Sequence, residues 1–173
     1  MSRSFYFSCM VAFVAGLAFS AEAGNWPSWR GDVAGSGIVR GEKIPLEWGT
    51  KKNVRWRVPL PDRGNSSPIV WGGKVFITQA TDSDNRRTVM CFDKRTGELL
   101  WRTGVTYTKA EKTHKTNPYC SGSPATDGRV VVANYASAGV AAYDLEGQQL
   151  WHRKLGPQDH IWGNGTSPVL FGD

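Results

Sequence analysis

One stretch, Phe92-Asp93-Lys94-Arg95-Thr96-Gly97-Glu98-Leu99-Leu100-Trp101, returns as Tyr143-Asp144-Leu145-Glu146-Gly147-Gln148-Gln149-Leu150-Trp151. Each copy reads apolar-Asp, a turn closed by Gly, then a strand entered at Trp. An Asp side chain can bond backbone N–H groups just ahead of it, and Gly accepts the positive φ that such a turn needs. Asp93 and Asp144 are therefore expected to open hairpin turns, Gly97 and Gly147 to close them, and Trp101 and Trp151 to occupy equivalent places. A Trp so placed covers about 150–250 Å², worth about 4–6 kcal/mol as an upper bound from area. Two unrelated hairpins would share the turn and little else.

More than the turn repeats. Ser66-Ser67-Pro68-Ile69-Val70 precedes Gly72-Gly73 and the apolar Val75-Phe76-Ile77; Gly122-Ser123-Pro124-Ala125-Thr126 precedes Asp127-Gly128 and Val130-Val131-Val132. A third copy opens with Thr166-Ser167-Pro168-Val169-Leu170. The unit is thus a Ser-Pro strand, a Gly turn, two apolar strands and a Trp strand. Four short antiparallel strands in about 40–50 residues is the period of a β-propeller blade.

Cys91-Phe92-Asp93…Gly97…Trp101 and Ala142-Tyr143-Asp144…Gly147…Trp151 resemble the tryptophan-docking motif of pyrroloquinoline quinone (PQQ)-like β-propellers. The resemblance implies an all-β propeller in which the motif joins the third and fourth strands of a blade and the Trp docks on the neighbouring blade. It runs from about Asn25 to Asp173 and is nearest to exported repeat proteins that begin Trp-Pro-x-Trp-Arg-Gly, here Trp26-Pro27-Ser28-Trp29-Arg30-Gly31. Two departures stand out: the second motif is one residue shorter between Asp and Trp, and no Pro follows Gly31. The motif speaks to fold and says little about function.

In chain order, residues 1–23 read as a signal peptide: Arg3, an apolar run from Phe5 to Phe19, and Ala21-Glu22-Ala23 as a cleavage site. The run is short of the roughly 20 apolar residues a membrane span needs, so the expected product is periplasmic or extracellular with no stable span. Residues 24–58 read as a strap ending in the last strand of a partial blade, with Trp56 as its docking residue. Residues 59–118 form the first complete blade with a long loop, 119–162 the second, and 163–173 the first strand of a further one. Two complete repeats do not close a ring of four to eight blades. The chain is therefore expected to be an N-terminal fragment that exposes strand edges and is poorly soluble or partly unfolded alone.

Long inter-blade loops lie on propeller faces, where binding residues sit. The candidates are His114, Lys115, Asn117 and Tyr119 in the first such loop and His160 and Trp162 in the second. Three scattered His do not supply a zinc set, and Asp82 with Asp84 lacks the Gly and Glu of a calcium loop, so 81–87 reads as a solvated hairpin tip. Asn65-Ser66-Ser67 and Asn164-Gly165-Thr166 match glycosylation acceptors but read as turns. The charge balance, 21 Lys+Arg against 15 Asp+Glu, is dispersed, which argues against a nucleic-acid stripe. Cys91 and Cys120 are permitted a disulfide by export, although Cys91, on an inner strand, reads as a buried thiol.

No nucleophile–base arrangement or paired carboxylates stand in recognisable context. The first expectation is a non-enzymatic scaffold, with no cofactor, that binds a protein or cell-envelope ligand through loops on one face. The resemblance also admits a PQQ- and calcium-dependent quinoprotein dehydrogenase oxidising alcohols or sugars, in which the cofactor does the chemistry; adjacent cysteines, frequent in that class, are missing here. A third reading is glycan binding through Trp162, Tyr119 and the surplus basic residues.

Overall fold

The computed structural model describes residues 24–32, 34–39 and 44–172. The expected signal peptide and Asp173 lie outside these residues. Among the described residues, eight strands form two antiparallel four-stranded sheets in simple meander order. The first contains β1 (Ile69–Trp71), β2 (Lys74–Thr81), β3 (Arg86–Asp93) and β4 (Leu99–Thr106); the second contains β5 (Ala125–Thr126), β6 (Val130–Asn134), β7 (Val140–Asp144) and β8 (Gln149–Arg153). These are the two complete propeller blades that the repeat predicts.

The β3–β4 and β7–β8 turns form as their sequences require. Asp93 Oδ1 accepts from the N–H groups of Arg95 at 2.8 Å and Thr96 at 2.7 Å, and Gly97 takes φ +76°. Asp144 Oδ1 accepts from Glu146 at 3.0 Å and Gln148 at 2.8 Å, and Gly147 takes φ +89°. The shorter second turn leaves the register of its Trp strand intact. Trp101 pairs with Cys91 and Trp151 with Ala142, each two places before the Asp. Both ladders slip immediately afterwards, leaving Leu100 and Leu150 as the extra residues of matching bulges. A bulge bends its strand and re-aims the neighbouring side chain, here the Trp.

Trp101 is aimed at the next blade. Its indole N–H donates to Leu145 O at 3.0 Å, and a Cβ on Gly147 would stand 2.6 Å from its Cδ2. Trp56 repeats this on the first blade, donating to Lys94 O at 2.9 Å over Gly97. Trp151 is 41% exposed. A second contact joins the blades near the inner strands, where Trp71 lies over Gly128.

The core lies chiefly between the blades. Phe76, Val89 and Cys91 of the first face Val131, Ala141 and Tyr143 of the second. The other face of the first blade, with Val75, Ile77, Met90 and Phe92, is covered by Trp56 and Val58. Both faces of β2 and β3 are thus covered, so apolar residues fill successive positions rather than alternate ones. The Ser-Pro motifs tie the inner strands together: Ser67 N–H donates to Ser123 Oγ, and Ser123 N–H to Ser167 Oγ, each at 2.9 Å.

Two expected strands do not form. Residues 53–58, read as the last strand of a partial blade, and the described part (163–172) of the 163–173 segment read as the first strand of a further blade, carry no ladder. A strand is defined by paired backbone, and Trp56 is held instead through its side chain. The strap gains partial pairing elsewhere: Trp26 bridges Val70, and Pro27 O accepts from Thr126 N–H at 2.9 Å, so residues 26–28 cross the inner edges of both blades.

Candidate functional site

The loop from Tyr107 to Cys120 leaves β4 on the side where the β2–β3 tip also lies, and Tyr107 N–H donates to Asn85 O at 2.8 Å. It meets the loop that follows β8. Asn117 Nδ2 donates to Trp162 O at 2.6 Å, and the His114 and Trp162 rings meet edge-on with centroids 5.0 Å apart. His114 Nδ1 is 2.7 Å from Thr116 Oγ1. Trp162 N–H points to His160 Nδ1 at 3.3 Å. His114, Asn117, His160 and Trp162 therefore share one seam, with Trp162 exposed by 56% and Ile161 by 64%.

Gly163 lets the two loops approach. At φ +74°, it would place a Cβ 3.1 Å from Asn117 O. A side chain larger than hydrogen would strain the backbone and press on the loop opposite.

Lys115 and Tyr119 take different places. Lys115 is exposed, and its carbonyl accepts from Arg63 Nη1 at 3.3 Å. With Asn65 donating to Thr116 O at 2.7 Å, this forms a groove of about 400 Å³ bordered by Leu60, Asp62, Arg63 and Lys115. Tyr119 turns inward: its hydroxyl accepts from Glu111 N–H at 3.0 Å and donates to Glu111 O at 2.9 Å. Asn164 likewise serves the loop, donating to Gln158 O at 3.1 Å.

The residues of the docking motifs stand apart from this seam. Asp93, Gly97 and Trp56 form one contact, and Asp144, Gly147 and Trp101 the other. A separate cavity of about 650 Å³ lies between the strap (Trp29, Arg30, Asp32) and residues 165–170.

The 81–87 segment departs in part from the expectation of a solvated hairpin tip. Arg86 and Arg87 belong to β3, and Arg87 is only 3% exposed, its guanidinium 3.8 Å from the Tyr119 ring centroid. The strand period places Arg87 on the face of Val89 and Cys91. That alternation was the signal available in the sequence. Asp84 does act as a tip residue, pairing with Arg102 at 3.1 Å. Partial desolvation opposes ionisation of Asp84, but bonds from Thr81, Arg102 and the Arg86 N–H prevail and lower its pKa.

Cys91 and Cys120 are both buried free thiols, and burial pushes each up to about 12. Among the described residues, no group of three or more His, Cys, Asp or Glu side chains is arranged to hold a metal ion. No helix among them is long and apolar enough to cross a membrane.

The PQQ-repeat family model described as "Outer membrane protein assembly factor BamB" matches residues 40–168. No curated protein matches the chain. Similar solved structures include a europium-containing methanol dehydrogenase, 22% identical, with a TM-score of 0.42, over 61% of this chain and 20% of that one. Another is the quinohemoprotein alcohol dehydrogenase ADHIIG from Pseudomonas putida HK5, 18% identical, with a TM-score of 0.37, over 77% of this chain and 27% of that one. The chain spans about a quarter or less of the length of those two structures. With three quarters of its residues under the family model and two blades built on the repeated turn, the chain belongs to the PQQ-repeat family described as outer membrane protein assembly factor BamB.

Proposed function

We propose that this chain acts in an exported, non-enzymatic β-propeller scaffold that captures a protein partner in the cell envelope through the seam between its inter-blade loops. The observation that carries the reading is the meeting of His114 and Asn117 with Trp162 across two successive loops. A large exposed aromatic flanked by polar groups, beside a groove, suits capture of a protein surface. The description of the family, an outer membrane protein assembly factor, fits a partner from the machinery or clients of that process. The signal-peptide reading of residues 1–23 supports export.

The test is capture from an envelope extract with His114→Ala and Asn117→Ala variants that keep the wild-type circular dichroism spectrum. The reading expects each to weaken retention of the same envelope protein by about tenfold, as loss of a central contact does. Unchanged capture by both would reject the seam as the binding face. Adding PQQ and calcium and assaying alcohol oxidation tests the quinoprotein reading directly. Turnover there would replace the scaffold reading.

A further inference from the structure

Beneath the long loop lies a group that the loop seam leaves unexplained. Arg87 is buried against Tyr119, its Nη1 lies 3.5 Å from Arg86 O, and its Nε has no hydrogen-bond partner among the described residues. Burying a guanidinium is costly unless its donors are bonded and its charge is opposed. Arg87 lines a cavity of about 20 Å³ shared with Glu111, Cys120, Ala136, Gln158 and Asn164. A water molecule needs roughly 10–15 Å³ of such space and two to four polar partners. The cavity accommodates one water and no larger ligand.

Glu111 brings the opposing charge. Its Oε1 accepts from Ser137 N–H of the second blade at 3.2 Å, and Ser137 Oγ accepts from Gln158 N–H at 2.7 Å. The Cys120 thiol, raised mainly by burial, is pulled down by Arg87 and up by Glu111, so both charges reach the same point. Two lining residues other than glycine, Cys120 and Ala136, hold φ +55°. Such strain persists only where the surroundings fix the backbone.

We propose that Arg87 and Glu111 are the positioning pair of the loop seam, joined by one bound water that accepts from Arg87 Nε–H and donates to the Glu111 carboxylate. This link runs from the first blade, through the long loop, to Ser137 of the second blade and Gln158 of the next loop. It holds the stretch that presents His114 and Asn117 to Trp162. The consequence for partner capture rests on the scaffold reading, whereas the link itself is tested without any partner.

The test combines a high-resolution crystal structure of the chain, with a parallel bromide soak, and amide exchange on Arg87→Met and Glu111→Gln. The expected density is one water within hydrogen-bond distance of Arg87 Nε and Glu111. Both variants should exchange the Glu111 and Asn117 amides about tenfold or more faster and shift the Trp162 indole N–H resonance. The Val131 and Ala142 amides should stay protected and the Trp101 indole unmoved. Should Arg87→Met fail to fold, Glu111→Gln carries the test, since its amide oxygen keeps the Ser137 bond. A direct Arg87–Glu111 contact, a bromide peak in the cavity, or unchanged loop exchange in Glu111→Gln would overturn the proposal. Altered exchange with unaltered capture would leave the positioning pair standing and remove the partner reading instead.

Discussion

Gly147→Ala isolates the inter-blade contact on which the fold depends. Gly147 sits at φ +89°, where an L-residue costs about 1–2 kcal/mol, and a Cβ there would lie 2.6 Å from Trp101 Cδ2 and 2.9 Å from Cγ. The indole cannot retreat freely, because its N–H is bonded to Leu145 O at 3.0 Å. Forcing a methyl into such packing costs about 1–3 kcal/mol more, for a total of about 2–5 kcal/mol. Gly72→Ala is the internal control: φ is +54° and, among the described residues, nothing beyond its chain neighbours lies within 4 Å of a Cβ placed there, so only the backbone cost of about 1–2 kcal/mol applies. Urea denaturation followed by circular dichroism gives both values. Combined with Trp101→Ala, Gly147→Ala should lose its additional cost, a coupling of about 1–3 kcal/mol. Equal destabilisation by Gly147→Ala and Gly72→Ala, or strict additivity with Trp101→Ala, would refute the docking account.

Ser123→Ala should cost about 1–2 kcal/mol, because it removes the buried Ser123 hydroxyl that accepts from the half-buried Ser67 N–H; a change below about 0.5 kcal/mol would show that the Ser-Pro motifs are not inter-blade clamps. Bonds from the Thr96 N–H and hydroxyl, then the Arg95 N–H, hold the Asp93 carboxyl below its usual range. A depressed folded pKa gives stability that is present above the unfolded value of about 3.9 and is lost as pH falls through the folded value. Asp93→Asn should therefore flatten the acid limb of the stability curve below about pH 4, and an unchanged limb would contradict the turn assignment. Cys91 and Cys120 should resist a thiol reagent at pH 8 until denaturant is added, since burial disfavours both thiolates. Rapid labelling of the native chain would contradict their placement.

The fold was legible because its determinants are local and repeated. Asp93…Gly97 and Asp144…Gly147 contain their own turn chemistry, and the turn places Trp101 opposite Cys91 whatever lies elsewhere. The bulges at Leu100 and Leu150 were not legible, since the turns before them differ by one residue while the bulge is the same, and its place shows only once the strands pair. Residues 53–58 misled for a related reason. Val54, Trp56 and Val58 alternate against Arg55 and Arg57, but a strand needs a neighbour that composition does not show.

The seam was legible in part. His114, Asn117, His160 and Trp162 were visible as polar and aromatic residues in two long loops, while their contact depends on the blade-to-blade angle set by the core. Tyr119 was read as a surface residue, but its hydroxyl is occupied by the Glu111 backbone and its ring by Arg87. Arg87 was hidden by its neighbour, since Arg86-Arg87 looks like a basic tip until strand alternation is applied to each residue separately.

The most direct test of the scaffold account is photo-crosslinking from position 162 compared with position 48. Trp48 is 74% exposed on the strap, whereas Trp162 is 56% exposed within the seam. With a photoreactive residue at each site in turn and an envelope extract as prey, the account predicts one dominant crosslinked protein from position 162. The same protein should be lost when Asn117→Ala is added and should be absent from position 48. Equal labelling from both positions, or labelling from 162 that survives Asn117→Ala, would contradict a binding face built from the two inter-blade loops.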